Sequence, residues 1–107
     1  MYYTHSAYVA GVELVGDIII PNDVTAIKAQ SFRYLDNITS IVIPNNVTTI
    51  ENYAFSGCTN LISITMGGSV ITIGAGVINN NKFTSIYYNS TISDWLNISF
   101  TRDDGTS

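Results

Sequence analysis

Two stretches of this chain, set 23 residues apart, read almost alike: "IIIPNDVTAIKAQSF" from Ile18 to Phe32 and "IVIPNNVTTIENYAF" from Ile41 to Phe55. A third version, "ITMGGSVITIGAGVI", starts at Ile64, and a fourth start, "IYYNSTISDW", follows at Ile86. The units therefore cover 18–40, 41–63 and 64–85, the last one residue shorter than the others. A fixed period of roughly 20–50 residues marks stacked supersecondary units. Each unit leaves an apolar edge that only its neighbour can cover, so about three are the minimum for a stable stack. The chain has little more than three.

The apolar positions inside a unit keep a set order. Ile18 and Ile20 recur as Ile41 and Ile43, as Ile64 and Met66, and as Ile86 and Tyr88. Spacing of two is a strand with one buried face. After a Pro-Asn or Gly-Gly turn, the Val24 and Ile27 pair repeats as Val47 and Ile50, then Val70 and Ile73, with Thr-rich intervals that suit a second short strand. Phe32, Phe55 and Ile78 follow, with Leu35 and Cys58 after the first two; spacings of three to five there imply helical or 3₁₀ turns. Ile38, Leu61 and Phe83 lead back to the strand. Residues one step on from the inward positions point outward.

Composition agrees with strands rather than a helical bundle. The chain is 46% hydrophobic and only 11% charged, so Ser, Thr and Asn carry most of its polarity. Four basic residues and a net charge of −4 provide no stripe to neutralise phosphates, which argues against nucleic-acid binding. No apolar run is long enough to insert in a membrane, and "MYYTHSAYVAG" lacks the basic start and apolar core of a signal peptide. The single cysteine, Cys58, excludes an intrachain disulfide and leaves the compartment open.

The second unit, "IPNNVTTIENYAFSGCTNLISI", resembles the BspA-type leucine-rich repeats of bacterial and protist surface proteins. It shares the IP turn, the V-x-x-I step, the A-F before G-C and the N-L return. The first unit departs at "KAQSFRYLDNI", where Tyr34-Leu35 replaces Gly-Cys, and the third departs at "MGG" and lacks the Phe. The resemblance implies a leucine-rich-repeat solenoid: a β-rich α/β right-handed coil of about three and a half repeats, with short strands and 3₁₀ or helical turns.

The flanks resemble segments that border such runs. Residues 1–17 read as an N-terminal cap, with "AYVAGVELVGDIII" forming a β-hairpin whose turn is Ala10-Gly11, between Tyr8-Val9 and Val12–Val15. Residues 86–107 read as a C-terminal cap and polar loop. There Thr91 and Asp94 make an [ST]-x-x-[DE] capping box for a short helix, and Trp95 plugs the stack with Ile92, Leu96 and Ser99 close by. In long family members a closing segment like "DWLNISF" is followed by a polar loop and a new hairpin. The resemblance thus implies one period of a tandem array, cut at "TRDDGTS".

Residues that tempt a chemical reading are few. His5 is the one histidine and has no Cys near it in sequence, whereas a metal site needs three or four ligands. Cys58 takes the place that Leu35 holds one unit earlier, which makes it a small core residue rather than a reactive thiol. Asp103-Asp104-Gly105 lacks the alternating ligands of a calcium loop, and Gly67-Gly68 and Gly74/Gly76 lack the Lys and helix of a phosphate loop. Sequons at Asn37, Asn46, Asn89 and Asn97 arise readily in a chain so rich in Asn, Ser and Thr. The expectation is no catalytic constellation, no cofactor and no metal.

Binding is expected on two surfaces. The outward strand column Ile19, Val42, Thr65 and Tyr87, flanked by Asp17, Ser40, Ser63 and Ser85, forms an apolar strip suited to a protein partner or host surface ligand. Lone exposed β-branched residues are also ordinary in strands. The open ends carry aromatic residues, Tyr2, Tyr3 and Tyr8 at one and Trp95 and Phe100 at the other, which suits head-to-tail self-association. The resemblance implies an adhesion or ligand-binding module, extracellular or at the cell surface. A structural subunit stacking into a filament is the alternative, and an enzyme is disfavoured.

Overall fold

The computed structural model describes residues 2–3, 8–9, 12–77 and 83–101, with side chains from residue 14 onward. Their strands in chain order are β1 (Tyr2–Tyr3), β2 (Tyr8–Val9), β3 (Val12–Glu13), β4 (Gly16–Ile19), β5 (Ala26–Ile27), β6 (Ile38–Ile43), β7 (Thr49–Ile50), β8 (Ser63–Gly67), β9 (Thr72–Ile73) and β10 (Ser85–Asn89). A short helix α1 (Ile92–Leu96) and a final strand β11 (Ser99–Phe100) complete the chain order.

Each coil of the stack has three sides. The first is a parallel sheet in the order β10-β8-β6-β4, and the second is a parallel sheet of two-residue strands in the order β1-β5-β7-β9-β11. Both registers follow the 23-residue period through the middle coils: Ile41 lies opposite Ile64, and Ile27 opposite Ile50 and then Ile73. Near the ends the period breaks. Tyr2 pairs with Ala26, and Ser99 with Thr72 across the residues that α1 inserts. The hairpin expected near the N-terminus is present as β2 against β3, with Val9 opposite Val12, and is shorter than the stretch to Val15 that the sequence suggested. Its turn residues 10–11 lie outside the described residues.

The third side is built from turns. Ser31, Arg33 and Leu35 N–H groups bond back to the carbonyls of Lys28, Gln30 and Phe32, and one coil later Ala54, Ser56 and Cys58 bond back to Glu51, Tyr53 and Phe55. These are the i→i+3 closures of successive β-turns rather than of the helical or 3₁₀ turns expected, since the third residue of four of them, Gln30, Tyr34, Tyr53 or Gly57, has positive φ. They alternate with N–H groups that reach the next coil: Gln30 to Asn52, Phe32 to Ala54, Tyr34 to Ser56 and Tyr53 to Ala75. The alternation prevents a continuous helix. It also requires left-handed backbone at Gln30, Tyr34 and Tyr53 (φ 62°, 65° and 58°), where the equivalent residues one coil on from Tyr34 and Tyr53 are Gly57 and Gly76.

Inside, the columns read from the sequence are buried. Ile20, Ile43 and Met66 form one, Val24, Val47 and Val70 a second, and Ile27, Ile50 and Ile73 a third. Phe32 stacks on Phe55 with ring centroids 5.6 Å apart, and Leu35 lies over Cys58. Phe83 is half-buried against the core, whereas Ile78 lies outside the described residues. Each fully buried Ile, Val or Phe contributes about 1.5–3 kcal/mol relative to exposure, which makes these columns the main source of stability. A further column, Ser31, Ala54 and Val77, is buried as well, with the Ser31 hydroxyl donating to the Lys28 carbonyl.

Asparagines stitch the coils together from outside. The Ala75 N–H donates to Asn52 Oδ1 (2.8 Å), the Gly68 N–H to Asn45 Oδ1 (3.3 Å), and Asn60 Nδ2 to the Asp36 carbonyl (2.6 Å). Asn46 donates in the same way to the Asn22 carbonyl. The Asn-rich composition thus satisfies backbone groups that the short strands leave open.

Candidate functional site

The parallel register sets Ile19, Val42, Thr65 and Tyr87 side by side across β4, β6, β8 and β10. Neighbouring strands lie about 4.8 Å apart, so the row is continuous. Ile19 is 74% exposed and Tyr87 61%, while Val42 and Thr65 are half-buried between them. Asp17, Ser40, Ser63 and Ser85 form the flanking row. Asp17 is held in place by the hydroxyls of Ser40 (2.7 Å) and Thr39 (3.2 Å), which donate to its carboxylate.

A cavity of about 360 Å³ opens where this row meets the turns after the strands. Val42, Thr65 and Tyr87 border it on the strand side, and Asn22, Pro44, Asn45 and Asn89 on the turn side. Its position follows from the sequence of the turns. Pro44-Asn45 in the second coil becomes Gly67-Gly68 in the third, which lets the two turns pack closely at the cavity's edge. A Cβ on Gly67 would lie 2.7 Å from the Pro44 carbonyl oxygen and the Asn45 Cα, so only glycine permits this approach of the two coils. The Tyr88 hydroxyl is engaged with the Gly68 carbonyl (3.3 Å), which leaves Tyr87 as the exposed ring of the cavity.

The aromatic residues of the two ends are on opposite edges. Tyr2–Tyr3 forms the outer strand beside β5, and Tyr8 stands in the hairpin. At the other edge Trp95 is half-buried, wedged between Tyr88 (centroids 5.3 Å, 61°) and Phe100 (5.7 Å, 65°). The helix itself buries none of its residues: Ile92 is 78% and Leu96 75% exposed. Only half of the expected capping box forms. Thr91 Oγ accepts from the Asp94 N–H (3.1 Å), but the Asp94 carboxylate accepts from the Ser90 hydroxyl. The residue that closes the core at this end is Ile98, 7% exposed, which the broken period hid from sequence reading.

Cys58 is 2% exposed and its Sγ–H donates to the Phe32 carbonyl at 2.8 Å. Burial pushes the thiol up to about 11, against relief from a hydrogen bond to the Leu35 backbone and with a small push from Asp36. A thiol so shielded is no nucleophile at neutral pH. His5 lies outside the described residues. Among the described residues, no group of three or more His, Cys, Asp and Glu could hold a metal ion, and no helix is long and apolar enough to cross a membrane.

Two features went unread in the sequence. In the sequence the asparagine rim of the cavity reads only as turn chemistry. On the turn side, Arg33 lies over the rings of Tyr34 (4.8 Å) and Tyr53 (5.7 Å), the two tyrosines in left-handed backbone. A twist of residue type at three turn positions gives no periodic signal.

Stacked parallel coils with buried columns and turn-built third sides define a leucine-rich-repeat solenoid. The BspA-type leucine-rich-repeat model matches residues 10–105 in six copies, and the chain belongs to that family. The fold is similar to that of a leucine-rich cell surface protein from Faecalibacterium prausnitzii A2-165, with a TM-score of 0.52 at 21% identity. The match covers 78% of this chain and 34% of that one, so the chain spans about a third of that protein's length. A comparison with curated proteins finds no match.

Proposed function

We propose that this chain is a non-enzymatic protein-interaction and adhesion module of an extracellular or cell-surface protein, and that it meets its partner on the four-stranded face. The observation that carries this reading is the in-register row Ile19, Val42, Thr65 and Tyr87, whose ends are left largely bare to solvent. Contiguous exposed apolar rows mark interaction sites more often than scattered apolar residues do. The fold neighbour's description as a cell surface protein supports the location. The test immobilises the chain and probes it with purified extracellular-matrix and serum proteins, while protease shaving of intact source cells tests exposure. Val42→Glu should abolish binding and Tyr34→Gly, on the turn side, should not. Retention of binding by Val42→Glu would place the contact elsewhere.

A second reading, head-to-tail stacking, is favoured by the edges. Strands β1 and β11 are the outer strands of one parallel sheet, and β4 and β10 of the other. The end carrying Trp95 and Phe100 of one copy would meet the end carrying Tyr2, Tyr3 and Tyr8 of the next, continuing both ladders. Such a contact is heterologous and runs on as a ring or filament. Light scattering should then show mass growing with concentration, and Phe100→Asp should stop it. A chain that stays monomeric at every concentration would leave only the first reading.

A further inference from the structure

We infer that the cavity beside Tyr87 binds a neutral sugar ring of a glycan carried by the protein partner. The inference rests on the four-stranded face being the binding face, and it names the chemistry of what that face recognises. The cavity's volume, about 360 Å³, falls within the roughly 300–1,000 Å³ common to small-ligand sites. Thr65 and Gly67 are small residues of its lining, and Tyr87 adds an exposed aromatic ring.

A pyranose ring has two kinds of surface. Its C–H faces carry slightly positive hydrogens, which suit the negative face of an aromatic ring. Its edge is a run of hydroxyls, each both donor and acceptor. The amide side chain is the neutral group that answers such an edge, because it holds two donors and a carbonyl acceptor. Tyr87 supplies the ring here, and the exposed Asn22, Asn45 and Asn89 supply amides along the turn side, with Asn45 Oδ1 already accepting from the Gly68 N–H so that its Nδ2 is the group on offer.

The lining also discriminates. Among the described residues no Asp, Glu, Lys, Arg or His borders the cavity, so a phosphate, an acidic sugar or a charged peptide would find no counter-charge from them. An aliphatic peptide side chain would fill the space against Tyr87 and Val42. It would displace water from three amides without replacing their hydrogen bonds, which costs binding. A neutral sugar satisfies both surfaces at once. The apolar row continues from Val42 to Ile19, away from the cavity, and offers the protein part of a glycoprotein its own contact. That continuity points to a protein-borne glycan rather than a free polysaccharide.

The test titrates the methyl glycosides of glucose, galactose, mannose and N-acetylglucosamine into the purified chain, read by amide chemical shifts in NMR. At least one should give saturable shifts around Thr65, Gly67 and Tyr87. Tyr87→Ala and, independently, Thr65→Tyr, which puts a bulky ring into the lining, should each weaken that sugar by at least about tenfold. Tyr34→Gly, on the turn side, should leave sugar affinity unchanged, Ile19→Ala should weaken a glycoprotein that carries the sugar, and enzymatic removal of the glycan should weaken it too. No saturable shift with any glycoside, or wild-type affinity in both cavity variants, would overturn the assignment. So would N-acetyl-leucine methylamide shifting the same residues where the sugars do not. Equal affinity for a free polysaccharide, with no effect of Ile19→Ala on any ligand, would overturn the protein-borne source. If the glycosides fail but Val42→Glu still abolishes binding of a protein, the protein-interaction reading survives without this one.

Discussion

The strand side and the turn side of the solenoid are both hydrogen-bonded from coil to coil, yet they place opposite demands on sequence. On the strand side, alternation decides each role: Ile64 is fully buried and Thr65, its neighbour, faces the cavity. Any β-branched residue fits the outward position, so the surface is free to vary. On the turn side the backbone conformation decides. Left-handed φ recurs at Gln30, Tyr53 and Gly76, and at Tyr34 and Gly57, whatever the side chain. One side is therefore specified by apolar pattern, the other by torsion.

The largest test of the contrast is on the strand side. Ile64→Ala should destabilise by about 2–5 kcal/mol, because it empties a packed position between two coils. Thr65→Ala should stay within about 0.5 kcal/mol. Chemical denaturation of the two variants checks this, and equal midpoints would break the alternation on which the whole face depends.

Cys58 tests whether the turn side is as dry as the strand core. Its thiol, raised from 9.0 to about 11 by burial, stays neutral in the folded chain after the unfolded chain has ionised. Below pH 9 both states hold the proton and the thiol adds no pH dependence. As pH climbs from 9 toward 11 the unfolded state gains, and up to about 2–3 kcal/mol of stability is lost. The readout is the difference between wild type and Cys58→Ala across this range, which cancels the contribution of every group the two chains share. The variant should lose less stability between pH 9 and 11. A thiol reagent should modify folded wild type only as fast as the chain opens.

The two sides were also unequally legible. The strand columns were readable because Ile, Val, Met and Leu repeat at fixed intervals, and the outward row followed from them by parity. The turn-side column of Ser31, Ala54 and Val77 was hidden, since those three residues share smallness rather than hydrophobicity. Ile98 was hidden because α1 lengthens the last coil and moves it out of phase. The candidate site was half legible. Val42, Thr65 and Tyr87 came from the strand period, but the cavity is also bordered by the close approach of the second and third coils at Gly67, the last residue of β8, and a glycine there reads first as conformational freedom.

Gly57 sharpens the torsional rule. Its φ is +76°, and a Cβ there would sit 2.3 Å from the Tyr34 ring. Gly57→Ala should cost about 1–2 kcal/mol through backbone conformation alone. The exposed Tyr34 ring can swing clear, which would loosen its contact with Arg33. Thermal denaturation measures the loss, and an unchanged Tm would mean that the turn side tolerates any residue.

Gln30→Gly is the smallest expected effect and the most direct reversal. Gln30 is exposed, so its side chain contributes little packing, and its φ of 62° lies in the region that L-residues avoid. Relief of that conformation is worth about 1–2 kcal/mol. Against it stands the greater freedom that glycine gives the unfolded chain, about 0.4–1 kcal/mol. The relief matches or exceeds the entropy, so the variant should be more stable than wild type by about 0–1.6 kcal/mol. The Gln30 N–H bond to the Asn52 carbonyl does not depend on the side chain and remains. Denaturant midpoints of Gln30→Gly and Thr25→Gly separate the two contributions. Thr25 is an exposed residue outside the left-handed positions, where glycine brings only the entropic loss. Stabilisation in the first and destabilisation in the second would confirm that torsion governs the turn side; destabilisation in both would return it to ordinary side-chain preference.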